Sequence, residues 1–206
     1  MNKTPHISDG NMKLGALPSF SISTEACDLI PGPAAQGCKT HCYAKKLERI
    51  YPSARARYKT NFGDSQLPTF VPTMNAEIKA HKKLQKIGIM RIHVAGDFYS
   101  QRYVDDWMEI ARTNPNVSFY AYTKAFNLDF SARPDNFVMK LSDDLNLWPA
   151  EHARFDGIAR VYEPGQPCPA GFIPCGSQRV KGITCAQCKM CTGKLGRKAN
   201  VGFRRH

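Results

Sequence analysis

The sequence predicts an α/β protein: an open, partial parallel β/α barrel with a cysteine-rich C-terminal extension. Three observations carry this. Short apolar runs alternate with stretches of helical period, the rhythm of a parallel sheet with covering helices. The runs number about five, too few for a closed eight-stranded barrel. Hydrophobic residues make up 42% of the 206, enough to fill one ordinary core. Three regions follow: residues 1–16 as a flexible arm, 17–163 as the α/β domain, and 164–206 as a cysteine-rich segment with a basic tail.

Each element has its own signal. "LPSFSIST", Leu17 to Thr24, reads as the first strand. Pro31, Gly32, Pro33 and Gly37 then forbid regular structure in a cysteine loop. A helical pattern runs from about His41 to Ile50, and Pro52 ends it. After the Pro-rich "LPTFVPT", a helix spans Thr73 to Lys86, capped by Thr73 and closed by Gly88. Ile89 to Ala95 is a buried strand. The next helix, Gln101 to Thr113, carries Val104, Trp107, Met108 and Ala111 at helical spacing, a stripe that belongs to the core. Val117 to Thr123, "NFVMKLSDD" and "GIARVYE" supply three further strands.

Charge and cysteine content narrow the function. Lys and Arg total 29 against 17 Asp and Glu, a formal net charge of +12, which favours an anionic partner, nucleic acid first. The cations gather in "AKKLERIYPSARARYK", "KAHKKLQK" and the tail "GKLGRKANVGFRRH"; solvated helix faces are the bland alternative. Tyr43, Tyr51, Tyr58 and Phe62 lie among the first run, as stacking platforms or as core anchors. No run of about 18 apolar residues is present, so no membrane span is expected. The N-terminus lacks a secretory pattern, which places the chain in a cytoplasm. In a reducing compartment, eight cysteines point to metal ligation before disulfides. A phosphate loop, a serine nucleophile elbow and H-E-x-x-H are all absent.

The cysteines fall into two groups. Cys185, Cys188 and Cys191 form C-x2-C-x2-C, which turns three thiolates inward within one compact loop. Cys168, flanked by prolines, is the natural fourth ligand, and Cys175 is its substitute or a half-buried bystander. A [4Fe-4S] cluster suits this spacing; zinc, which favours paired C-x2-C, is the alternative metal, and unligated thiols are the third reading. Upstream, Cys27, Cys38 and Cys42 follow the first strand. Three thiolates leave one iron of a cubane open to a small molecule. The bland alternatives are a closed site completed by Cys175, or one cluster shared between the groups.

In a parallel sheet, ligands collect at the carboxyl ends of the strands. "STEAC", "AGDFYS" and "TKAF" all leave strands there, so Cys27, Asp97 and Lys124 are expected on one rim. Asp97 is either an anchor for an ammonium group or the cap of the next helix. Lys124 is a candidate for an anionic substrate. His93 reads as a buried, hydrogen-bonded histidine before a ligand or acid–base group, and Tyr120 and Tyr122 as packing residues on one strand face. His41 is a candidate non-thiolate ligand.

"GCKTHCYAKK", "RIHVAGDFYSQ", "FYAYTKA", "PDNF" and "CPA…CAQCKMC" together resemble the phage gene product eighty-eight family, from about Leu17 to Cys191. The resemblance implies an iron–sulfur protein of viral origin in the host cytoplasm, similar in layout to radical S-adenosylmethionine enzymes. That superfamily places a [4Fe-4S] cluster after the first strand of a partial barrel, where an open iron chelates S-adenosylmethionine. Its usual C-x3-C-x2-C is here C-x10-C-x3-C, with Tyr43 beside the last cysteine. By the same resemblance, Gly96 and Asp97 of "AGDF" stand where a methionine amino group is bound. A redox or catalytic role with an electron donor follows; a nucleic-acid-binding protein with a structural metal is the alternative.

Overall fold

The computed structural model describes residues 6–30, 38, 42–144, 146, 149–192 and 197–205. Seven strands form one open, all-parallel sheet: β1 (Ser19–Phe20), β2 (Ile89–Ile92), β3 (Ser118–Thr123), β4 (Phe137–Ser142), β5 (Ile158–Tyr162), β6 (Ile173–Pro174) and β7 (Val201–Arg204). Their order is β1-β2-β3-β4-β5-β7-β6. The first five lie in chain order, so each connection crosses one face in the same sense. The cysteine-rich segment, expected as an extension, supplies the last two strands of the same sheet. Between β5 and β6, β7 must admit Cys168 closely: a Cβ on Gly202 would sit 2.4 Å from the Cys168 Sγ.

Strand alternation sends successive side chains to opposite faces. Phe20, Met90, Ile92, Phe119, Ala121, Phe137, Met139 and Leu141 form the main core. Helices α3 (Phe70–Ala80), α4 (Lys82–Ile87) and α5 (Gln101–Thr113) cover them, with Phe70, Met74, Ile78, Leu84, Val104, Trp107 and Ala111 buried. The expected core stripe of α5 is all buried, and Ser100 caps the helix by accepting from Tyr103 N–H. The helix expected over Thr73–Lys86 is two helices. His81 leaves the helical region at ψ 89° and caps α4, its Nδ1 accepting from Leu84 N–H. Thr73 lies inside α3 and does not cap it; Gly88 closes α4 at φ 66° as expected. Pro52, expected only as a stop, also starts a helix. It stands at the head of α2 (Pro52–Asp64), directly after α1 (Tyr43–Ile50), because its fixed φ suits a first helical position.

The other face carries Ile89, Arg91, Tyr120, Tyr122, Val138 and Lys140, and it is covered differently. Residues 6–16, expected as a flexible arm, are packed down: Leu14 is buried on this face with Leu17, Ile89, Tyr120 and Val138, while Ile7 joins the main core. His6 fastens the arm: its ring bonds Glu77 at 2.7 Å and Asp64 at 2.8 Å, while Ile7 N–H donates to Glu77 at 2.7 Å. Farther along, the Lys13 and Leu14 carbonyls accept from Cys185 N–H (3.0 Å) and Ala186 N–H (3.1 Å). Arm and cysteine segment therefore form one cap over this face. At its far end, Asp156 holds Arg197 at 2.7 Å and Arg133 at 3.1 Å. Among the described residues no helix is long and apolar enough to cross a membrane.

Candidate functional site

Beyond the strand ends, the chain builds a rim. After β1, a 3-10 turn (Thr24–Leu29) carries Cys27. Buried Glu48 of α1 pins the turn by accepting from Thr24 N–H (2.8 Å) and Thr24 Oγ1 (3.0 Å). Cys42 precedes the first turn of α1, where the Cys38 thiol first, and then the nearby Lys45 and Ala44 amides, favour its thiolate over the opposing effect of burial. These donors lower the Cys42 thiol, as helix N-termini generally do. The same bond to Cys42, then burial, raises Cys38. Burial first, then the charges of Asp97 and Cys42, push Cys27 up to about 12. Pro31, Gly32, Pro33, Gly37 and His41 lie outside the described residues.

Asp97 and Lys124 share this rim. Asp97 does not cap α5; Ser100 does. Its carboxylate instead accepts from Phe98 N–H and Lys124 N–H, each at 2.7 Å. Burial dominates and pushes it up to about 6 despite those donors. The Lys124 ammonium pairs with Asp144 at 2.8 Å, and its charge reaches Cys38. Gly96 has a packing reason: at φ 78°, a Cβ would meet Ile22 Cγ1 at 2.4 Å. Tyr43 leaves its ring half-exposed and donates its hydroxyl to the Val94 carbonyl. His93 is the hydrogen-bonded core histidine, its Nε2 2.9 Å from the Tyr103 hydroxyl. Burial, then the Arg91 charge, pushes it down to about 3.

The second thiol group lies across the sheet face. Cys175, Cys185, Cys188 and Cys191 line one open pocket of about 410 Å³, solvent at its mouth included. Three local devices place them. Cys175 precedes α6 (Gly176–Arg179), and a Cβ on Gly176 would lie 2.7 Å from Cys188 Sγ. A Thr184–Gln187 capping box starts the one-turn helix α7 (Cys185–Cys188). Lys189, left-handed at φ 53°, then reverses the chain so that Cys191 turns back inward. Cys168 is elsewhere: its Sγ donates to the Phe172 carbonyl at 3.5 Å and does not line the pocket.

The pocket floor is aromatic and cationic. Tyr120 and Tyr122 share the strand face that forms it, and the Tyr122 hydroxyl donates to Cys191. Burial pushes Cys191 up to about 11 and also raises Cys185. Arg91 lies beneath: its Nε donates to the His93 carbonyl at 3.3 Å, and its guanidinium stands 5.3 Å from the Tyr122 ring centre. Burial works against its charge, and the Tyr43, Tyr120, Tyr122 and Cys185 groups outweigh it. Among the described residues no carboxylate pairs with the half-buried Arg91, whose partners are the His93 carbonyl and the Tyr122 ring. The sequence reading missed Arg91. Its signal was a cation interrupting the apolar run Ile89–Ala95, as Lys140 interrupts Phe137–Leu141.

The donors present suit a soft-metal cluster: four thiols, a hydroxyl donor to sulfur and a half-buried cation. Among the described residues no three His, Cys, Asp or Glu side chains close around a single ion.

Two relatives extend over most of the chain. It is 29% identical to the Gene 88 protein of Mycobacterium phage L5 over 206 residues, covering 88% of this chain and 85% of that protein. To the Gene 88 protein of Mycobacterium phage D29 it is 27% identical over 215 residues, covering 92% and 88%. No solved structure matches. The model of the family described as Gene product 88 matches residues 4–194, and the chain belongs to that family.

Proposed function

We propose that this phage-family protein is an iron–sulfur protein with a redox or catalytic role. In this reading Cys175, Cys185, Cys188 and Cys191 hold a [4Fe-4S] cluster, with Cys175 rather than Cys168 as the fourth thiolate. The observation that carries it is four thiols around one pocket whose floor holds the half-buried Arg91, for which no carboxylate partner stands among the described residues. A cubane held by four thiolates is anionic in its usual states and would be that counter-charge. When bound it supplies one-electron exchange. The chain's own part is to donate from the Tyr122 hydroxyl to Cys191 and from the Ser177 hydroxyl, 3.3 Å away, to the Cys175 thiolate, and to seat the thiolates over a cation.

At the rim, Cys27, Cys38 and Cys42 would hold a second cluster with one open iron. The open sheet is then the partial barrel of a radical S-adenosylmethionine enzyme. Asp97 would meet a ligand's ammonium group and Lys124 its anionic end; S-adenosylmethionine carries both. Anaerobic purification with iron, zinc and sulfide counted per chain tests the reading. About eight irons are expected, about four after Cys188→Ala or Cys175→Ala, and no loss after Cys168→Ala. A colourless chain holding only zinc, or nothing, ends it.

One observation favours a nucleic-acid reading with a structural metal. Lys45, Lys46, Arg49 and Arg55 are exposed on α1 and α2 around the exposed Tyr51. That reading requires oligonucleotide affinity that falls about 10³-fold or more between 50 and 200 mM salt; salt-independent binding, or none, removes it.

A further inference from the structure

From Pro164 to His206 the chain has no Asp or Glu and eight Lys or Arg, two thirds of the net +12. This segment is also the lid of the four-thiol pocket. Three of the eight, Arg179, Lys181 and Lys189, are exposed on or beside the thiol-bearing turns, while Arg197 pairs with Asp156 and Arg205 with Glu163. At the pocket mouth stand Lys13, whose ammonium lies 5.0 Å from the Phe203 ring centre, and the exposed Lys189. Arg179 and Lys181 are exposed just beyond, at the end of α6, the helix whose Gly176 abuts Cys188. Val180 between them and Ile173 on β6 are exposed at 39% and 47%.

We infer that this face is the docking surface for an acidic one-electron carrier protein that reduces the group held in the pocket. The inference rests on the iron–sulfur reading and names its partner. Three features favour such a carrier over nucleic acid. The cations ring the mouth of a thiol pocket rather than tracking a groove. Among the described residues the exposed large apolar side chains here are aliphatic, Ile173 and Val180, and the aromatic rings nearby, Phe172 and Phe203, are half-buried. A small basic patch with a little aliphatic surface suits a brief electron-transfer encounter, steered by charge more than held by area. The step balances simply: one electron leaves the carrier's cofactor and enters the cluster, with no bond made or broken.

The test uses the full chain, loaded anaerobically, with iron and sulfide measured first. Its reduction is followed by stopped-flow with two reductants: a reduced acidic flavodoxin, and a small neutral photoreduced deazaflavin. Flavodoxin reduction should slow about tenfold or more in Arg179→Glu/Lys181→Glu, and likewise for the native chain as ionic strength rises from about 0.05 to 0.5 M. Deazaflavin reduction and the cluster spectrum should not change. Should the double variant lose iron or secondary structure, the salt series on the native chain decides alone. A flavodoxin rate indifferent to both salt and charge reversal overturns the proposal. So does a variant that loses binding of a labelled single-stranded oligonucleotide yet keeps its flavodoxin rate. A chain without iron ends the iron–sulfur reading itself; an iron-loaded chain that ignores flavodoxin ends only this one.

Discussion

At the rim, Cys27, Cys38 and Cys42 sit beyond strand ends beside Asp97 and Lys124; at the cap, four thiols lie across the sheet face over Arg91, Tyr120 and Tyr122. The rim balances its charges locally. Lys124 has Asp144, and Asp97 has two backbone donors. Polar groups of both signs there can meet a polar ligand. The cap has no such balance around Arg91, and its neighbours are rings and thiols. One residue type thus faces two surroundings: the first suited to binding and proton chemistry, the second to holding a buried anion. What separates them is which side of a strand a residue occupies. Ile92 and the residues after it lead to the rim, while Arg91, one position earlier, points into the cap.

Arg91→Met should show that contrast most strongly. With metal stripped, removal of a half-buried cation that lacks a carboxylate partner should stabilise the chain by about 1 kcal/mol in urea unfolding. With metal loaded, the cap should release iron to a chelator about 10–100-fold more readily, and the rim should keep its own. Lys124→Met should do neither, because its partner Asp144 is partly solvated and the pair is worth about 1 kcal/mol or less. If metal-free Arg91→Met is destabilised like an ordinary core substitution, and holds iron as well as the parent, the cap does not need a counter-charge.

How much of this was legible follows from how local each signal is. The bounds of α5 and its buried stripe could be read because 13 residues repeat the helical period almost four times. The parallel order could be read from the strand–helix rhythm, and the main core with it. The strands β6 and β7 could not: two and four residues are too short for a period, and the glycine in β7 reads as a turn. The helix α2 was hidden because the residue it buries is polar, Asn61, leaving no apolar stripe, and because Pro52 signals a stop and a start alike. Cys168 looked like the fourth thiol by its prolines and its spacing. Nothing in the spacing records that the chain turns between it and Cys175, carrying one sulfur under β7 and the other into the pocket. The arm was unreadable for the same reason, since its partners Asp64, Glu77, Cys185 and Ala186 lie far along the chain.

That arm offers the finer test of the difference between rim and cap: it bonds the cap amides directly, and reaches the rim only through β1, by the Ser8–Ser19 bridge. Burial raises the Glu77 carboxyl, but the His6 ring and the His6 and Ile7 N–H groups outweigh it and hold it below the usual range. A carboxyl depressed in the folded state stabilises fully above its unfolded value of about 4.3, and that contribution fades as pH falls through the lower folded value. Glu77→Gln should therefore cost about 1–2 kcal/mol at pH 7 and progressively less in acid. The loss should also be local. The arm's carbonyls at Lys13 and Leu14 hold the Cys185 and Ala186 amides, whereas Glu48, not the arm, holds the Thr24 amide at the rim. Hydrogen exchange in the variant should accelerate at Cys185 and Ala186 and leave Thr24 at its parental rate. Equal acceleration at all three would mean that the arm supports the whole sheet, and that cap and rim do not open independently.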